Sequence, residues 1–173
     1  MTLTNVTACL VGEILDLDNT TRENVTITDQ VAPYLTSFYP AIHIANVTGS
    51  GSYIPVTIDN ITVTFSESMD TSSITTNTAD TSCSGTFQLS KCGNGGANCD
   101  NAFLSSNSVP CVQMSAAPVA SNDNKTFTID PNASLAPEKV RHYIKVTTGA
   151  KDTSGNALND GSSDNTSAFQ TAD

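Results

Sequence analysis

The stretch "NITVTFSE", Asn60 to Glu67, decides the fold class of this chain. Its apolar side chains, Ile61, Val63 and Phe65, alternate with two threonines and a serine. Successive side chains of a β-strand point to opposite faces, so a period of two is typical of a strand with one buried face. The polar run "MDTSS" that follows indicates a turn, with room for a single helical turn in "MDTSSI".

The same alternation recurs further along the chain. It is clearest in "KTFTID" and in "VRHYIKVTT", whose predicted inward-facing residues are Val140, His142, Ile144 and Val146. Shorter candidates are "GTFQLS", "VPCVQM" and "TSAFQT", and turn signals such as "GNGGAN" and "SNDN" separate them. Short strands with regular turns favour an antiparallel β-sandwich over an α/β fold.

Length and charge limit the number of domains and the kinds of partner. The 173 residues suit one main domain, which we place at residues 29–173. Residues 1–28 are interpreted as a linker or an extra strand segment. The net charge of -10 repels phosphate backbones and anionic lipids, which excludes nucleic acid and simple membrane adsorption. No apolar run is long enough for direct membrane insertion.

Five cysteines indicate an oxidising compartment. Four of them bracket one glycine- and asparagine-rich stretch, and we favour a nested pairing of Cys83 with Cys111 and Cys92 with Cys99. Free thiols are the alternative, and Cys9 is left over. The spacing does not fit a zinc site, because there is no C-x-x-C pair and the two histidines are far apart in sequence.

The order of these segments resembles the bacterial Ig-like domain of S-layer and other cell-surface proteins. The resemblance covers residues 29–173 and rests on "DQVAPYLTSFYPA", "IPVTIDNITVTFSESMD", "TFTIDPNASLAPE", "IKVTTGAKDTSGNAL" and "SAFQTAD". It implies an all-β, immunoglobulin-like antiparallel sandwich of about seven strands. It also implies a secreted or bacterial cell-surface location, neighbouring domains of the same polypeptide as partners, and no catalysis.

Two features depart from the family pattern. The cysteine-bounded loop is longer than in most members, and "TGSGSY" interrupts the first connection. The position that is often tyrosine in the family holds His142 here. We therefore expect the tyrosine-corner hydrogen bond to be absent, or to be made by the imidazole.

Two acidic segments are candidate calcium sites. In "VTTGAKDTSGNALNDGSSD" the candidate ligands are Asp152, Asn156, Asp160 and Asp164. The competing interpretation is a turn, in which Gly155 takes a positive φ and Asp152 caps the backbone. The second segment holds Asp16 and Asp18, which would lie on one face of an extended chain; its alternative is a solvated linker. The EF-hand pattern is absent, and the turn is favoured in the first segment.

No motif for hydrolysis or phosphate binding occurs, so the chain is predicted not to be an enzyme. We predict a structural or adhesive module of an exported protein that spaces neighbouring domains and presents loops. The candidate contact residues for a host or matrix protein are Phe103 and Leu104; the alternative, which we slightly favour, is that they plug the end of the sandwich. The alternative function is an accessory module that binds calcium or carbohydrate. No cofactor other than calcium is expected.

Overall fold

The computed structural model of the protein describes residues 14–15, 22–23, 28–40, 60–91, 110–133, 135 and 140–171. The chain divides into two compact units, Met1–Val31 and Ala32–Asp173. In the first unit, β1 (Ile14–Leu15) pairs antiparallel with β2 (Arg22–Glu23). The domain boundary predicted after residue 28 precedes this division and stays a prediction. Within the described ranges, no helix has the length and apolar character needed to cross a membrane.

Seven strands of the second unit form two antiparallel sheets. The four-stranded sheet has the order β3 (Leu35–Tyr39), β4 (Ile61–Phe65), β7 (Thr126–Ile129), β6 (Val119–Ser121). The three-stranded sheet has the order β5 (Phe87–Lys91), β8 (Arg141–Val146), β9 (Asn165–Gln170). The described residues add two short 3₁₀ turns, Thr71–Ser73 and Leu158–Gly161. The predicted all-β sandwich of about seven strands is confirmed.

The core lies between the two sheets and is built from alternate strand positions. On β4 the inward residues Ile61, Val63 and Phe65 are buried, and β7 contributes Phe127, whose ring meets Phe65 edge to face at 5.8 Å. The facing sheet supplies buried side chains from all three of its strands: Phe87, Leu89, Ile144, Val146 and Phe169. The inward faces predicted from the sequence are therefore the buried ones.

Two short segments differ from the sequence prediction. Strand β6 was not predicted, and its residue Val119 is exposed. Conversely, "VPCVQM" was predicted as a strand, but Cys111 and Met114 form only isolated bridges, to Ser90 and Pro131. Both segments are too short for alternation to distinguish a strand from a loop. The turn in "MDTSSI" is confirmed as a 3₁₀ turn.

The chain begins and ends the sandwich at opposite poles. Just before β3, the Pro33 carbonyl accepts a hydrogen bond of 2.9 Å from the Asn159 N–H, which follows β8 and its turn. Just after β9, the Thr171 N–H donates to the Val140 carbonyl, which precedes β8, at 3.1 Å. We call these ends the N-terminal pole and the C-terminal pole. They are separated by the length of β8, roughly 20 Å for six residues.

A disulfide joins Cys83 to Cys111 across 28 positions of sequence, as predicted. Next to it, the Cys111 N–H donates to the Thr81 carbonyl and the Val112 N–H to the Leu89 carbonyl, at 2.9 and 2.7 Å. Hydrogen bonds therefore hold residues 110–112 against β5, and the disulfide ties Cys111 to the segment before that strand. The second predicted pair, Cys92 with Cys99, lies outside the described residues.

Replacing both Cys83 and Cys111 with alanine is expected to lower the free energy of unfolding by about 2–4 kcal/mol, because the unfolded chain regains the freedom of a long closed loop. The measurement is urea unfolding of the oxidised proteins. Reducing agent should lower the midpoint of the natural chain more than that of the variant. A loss below about 1 kcal/mol would show that the strands hold this loop without the disulfide.

Candidate functional site

The turn after β8 is organised by the buried carboxylate of Asp152. Its Oδ1 accepts hydrogen bonds from the backbone N–H groups of Ser154 and Asn156, each at 2.8 Å. Its Oδ2 accepts a third, from Nδ2 of Asn156, at 2.7 Å. Gly155 has φ 92°, a backbone conformation that residues with a Cβ rarely adopt. The interpretation as a capped turn is confirmed.

Contacts with the neighbouring loop hold this turn at the N-terminal pole. Asp152 and Met69 form an isolated antiparallel β-bridge, and the Asp70 N–H donates to the Lys151 carbonyl at 2.9 Å. The Ser73 hydroxyl accepts from the Lys151 N–H, also at 2.9 Å. The turn is thus part of the packed structure, and its acidic side chain serves the fold directly.

The candidate calcium ligands of this segment do not converge. Asp152 contacts Asn156, whereas Asp164 forms an ion pair with Lys145 at 2.9 Å and accepts from the Thr148 N–H at 2.9 Å. Asp160 is exposed in the 3₁₀ turn. The contacts of Asp152 and Asp164 therefore have structural explanations. Calcium binding stays a prediction, and Asp16 and Asp18 lie outside the described residues.

One acidic neighbour was missed by the sequence reasoning. A carboxylate oxygen of Glu67 lies within 4.8 Å of one of Asp152, although the two residues are 85 positions apart in the chain. The signal in the sequence was only an acidic residue two positions after the end of β4.

The cysteine-bounded loop has firmly held ends. The Lys91 N–H donates to the Pro110 carbonyl at 3.3 Å, so the residues on either side of the 92–109 segment lie next to each other. The predicted contact residues, Phe103 and Leu104, belong to that segment and lie outside the described residues. What the structure shows is the rigid base from which the segment starts and to which it returns.

His142 is the one histidine in the described ranges, and it is fully buried on the inner face of β8. Its ring stacks on Phe169 with centroids 5.1 Å apart, and Nδ1 lies 3.2 Å from the Val140 carbonyl oxygen. A carbonyl can only accept, so Nδ1 carries the proton and Nε2 has the free lone pair. Within the described chain, Nε2 has no hydrogen-bond partner.

The environment of His142 keeps the ring neutral at physiological pH. The pKa of His142 is lowered from 6.5 to about 4: burial is the largest cause, the hydrogen bond to Val140 opposes the shift, and the charge of Lys91 adds to it. The predicted inward position of His142 is therefore confirmed, and one of its two ring nitrogens has a hydrogen-bond partner in the described chain. The imidazole does make a backbone hydrogen bond.

A cavity of about 320 Å³ lies beside His142 at the C-terminal pole. Its described walls include the end of β5, the segment after the 92–109 loop and the loop before β8, through Lys91, Pro110, Val112, Ala133, Leu135 and His142. Sequence reasoning did not find this cavity. The signal was a lone histidine at an inward position between valine and isoleucine.

The seven-stranded antiparallel sandwich places the protein in the immunoglobulin-like class of β-domains. Residues 29–171 match a family model described as bacterial Ig-like domain. The chain therefore belongs to the bacterial Ig-like domain family, and the resemblance noted in the sequence is confirmed.

Solved structures similar to this chain include two of a surface-layer protein. One is surface layer protein SbsC, domains 1–6, with TM-score 0.47 and 13% identity over 83% of this chain. The other is the S-layer protein rSbsC, with TM-score 0.46 and 15% identity over 82% of this chain. This chain covers 14% of each of those structures. Among curated proteins no sequence matches.

Replacing Asp152 with alanine should lower the free energy of unfolding by about 1–3 kcal/mol, because three hydrogen bonds to a charged acceptor are lost. Asp160→Asn is the matched control: it removes one exposed carboxylate and should change stability by less than about 0.5 kcal/mol. Thermal melts in calcium, magnesium and chelator check both. A saturable rise of the midpoint in calcium alone, lost in Asp152→Ala, would give this turn a metal-binding role.

The buried His142 should make stability depend on pH. Its folded pKa of about 4 lies below the unfolded value of 6.5, so the unfolded chain binds more protons between these values. The stability due to the neutral ring is present above pH 6.5 and is lost as pH falls towards 4. Over this pH range, the free energy of unfolding of the natural chain should fall by about 3 kcal/mol more than that of the variant His142→Leu. Urea unfolding of both proteins from pH 7 to 4 measures it, and a constant difference would contradict the assignment.

Proposed function

We propose that this protein is a non-catalytic structural module of an exported, bacterial cell-surface protein, and that it spaces neighbouring domains and presents loops. The observation that supports this most directly is the placement of the two ends of the sandwich at opposite poles. A neighbouring domain on either side would continue the line of the sandwich. Membership of the bacterial Ig-like family supports the surface location.

The arrangement of the terminal strands suits a module under tension. Among the described strands, β3 starts at the N-terminal pole and pairs with β4 alone, while β9 ends at the C-terminal pole and pairs with β8 alone. The hydrogen bonds of antiparallel pairs run perpendicular to the strands. A pull between the two ends acts along β3 and β9, so it shears all the bonds of each pair together.

The C-terminal pole supports the part of the proposal that concerns loop presentation. Both ends of the 92–109 segment are fixed to β5, and the disulfide of Cys83 with Cys111 closes the base. A rigid base lowers the entropy that a presented loop loses on binding.

A host or matrix protein as partner is the adhesive form of this proposal. An accessory module for calcium or carbohydrate is the alternative, and the calcium melts described above test its first form.

Single-molecule pulling tests the spacer. The full chain, flanked by reference domains, is pulled between its termini and compared with a chain pulled between its N-terminus and a peptide tag inserted after Asp123. That hairpin turn is exposed, and it lies at the N-terminal pole because the Met69 N–H donates to the carbonyl of the adjacent Asn124. The first geometry loads all the hydrogen bonds of the β3 and β9 pairs together, whereas the second breaks the hydrogen bonds between strands one after another.

We expect the pull between the termini to require the higher force. In the oxidised protein the extension on unfolding should be shorter by roughly 100 Å than after reduction, because the closed 28-residue loop stays shielded. The variant lacking Cys83 and Cys111 is the control for the extension and should show the full length without reductant. Equal forces in the two geometries would rule out a spacer built to resist tension.

A further inference from the structure

We propose that the cavity at the C-terminal pole binds a small molecule with an apolar body about the size of one ring and one hydroxyl group, which donates a hydrogen bond to Nε2 of His142. The proposal is independent of the spacer function. It rests on a cavity of about 320 Å³ and on a buried, unpartnered acceptor in its wall.

The size and lining of the cavity set the body of the ligand. Pockets for small molecules begin at about 300 Å³, so this cavity suits a compact molecule better than an extended one. Pro110, Val112 and Leu135 give it apolar walls, and the Cys111 end of the disulfide adds a fourth. Leu135 is buried, and Val112 is half-buried and packs against the core. The apolar wall is thus continuous with the core.

The ring of His142 sets the polar group of the ligand. One ring face stacks on Phe169 and Nδ1 is held by the Val140 carbonyl, which leaves Nε2 as the ring atom that can bind a polar group of the ligand. Because the ring is neutral, Nε2 is an acceptor and requires a donor. Burying an acceptor without a partner is costly, which gives a hydroxyl-bearing ligand an advantage over an apolar one of the same shape.

Other polar groups of the wall do not compete for this role. Thr81 is exposed and Gln113 is half-buried, so water can reach their side-chain oxygens, and the Gln113 amide nitrogen donates to the Thr78 carbonyl at 2.7 Å. Lys91 is exposed and can only donate. Among the described lining residues, the neutral imidazole is therefore the buried side chain that can select for a donor.

The probe is 4-methylphenol, titrated into the full chain with selectively ¹⁵N-labelled histidine at pH 7. Matched probes are toluene, which lacks the oxygen, and 4-methylanisole, which keeps the oxygen but cannot donate. We expect 4-methylphenol to bind about three- to tenfold more tightly than either, and to shift the Nε2 resonance of His142 in a saturable way. Comparison with His142→Leu assigns that resonance.

Three variants complete the test. In His142→Leu the advantage of 4-methylphenol should disappear. Ala133→Trp adds bulk at an exposed position of the rim and should abolish binding of all three probes without changing the melting midpoint, which keeps the test valid if His142→Leu does not fold. Val119→Trp, exposed on β6, should leave binding intact. Equal affinities for the three probes, or binding that survives Ala133→Trp, would overturn the proposal.

Discussion

The fold depends on the burial of two apolar sheet faces against each other. Each face is made of alternate residues, so a shift of one residue in any strand would expose its whole apolar set. Phe65 and Phe127 meet within one sheet, and Phe87 and Phe169 lie on the other. This single constraint sets the register of the paired strands. The loops are then free to differ, provided that their backbone groups find partners near the poles.

In the polar loops, backbone groups find their hydrogen-bond partners within the same loop or in the strand beside it. At the N-terminal pole, the carboxylate of Asp152 satisfies two backbone N–H groups and one side chain of its own turn. At the C-terminal pole, the disulfide and the hydrogen bonds of residues 110–112 do the same for a much longer connection. The acidic residues that resemble metal ligands in the sequence are the ones a turn also requires, because both roles need an oxygen close to the backbone.

The strands and inward faces could be predicted from the sequence because alternation and burial have the same cause. Strand β6 could not, since three residues with an exposed Val119 carry no burial signal. The outer disulfide was predictable from the spacing of cysteines around a polar loop. The proximity of Glu67 to Asp152 and the cavity beside His142 were not, because each depends on how distant loops approach one another.

His142 combines a position that the sequence predicts with surroundings that only the structure shows. Its position on β8 follows from alternation, and an isoleucine or valine there would fill the inner face without an unpaired nitrogen. A buried imidazole with one free acceptor is therefore a cost to the fold, since the lone pair loses its water without gaining a partner. The cavity lies beside that acceptor, next to the disulfide-held base of the longest connection. Family membership explains the sandwich around this residue, but the combination of imidazole, cavity and anchored loop belongs to this chain, where the family pattern often has tyrosine.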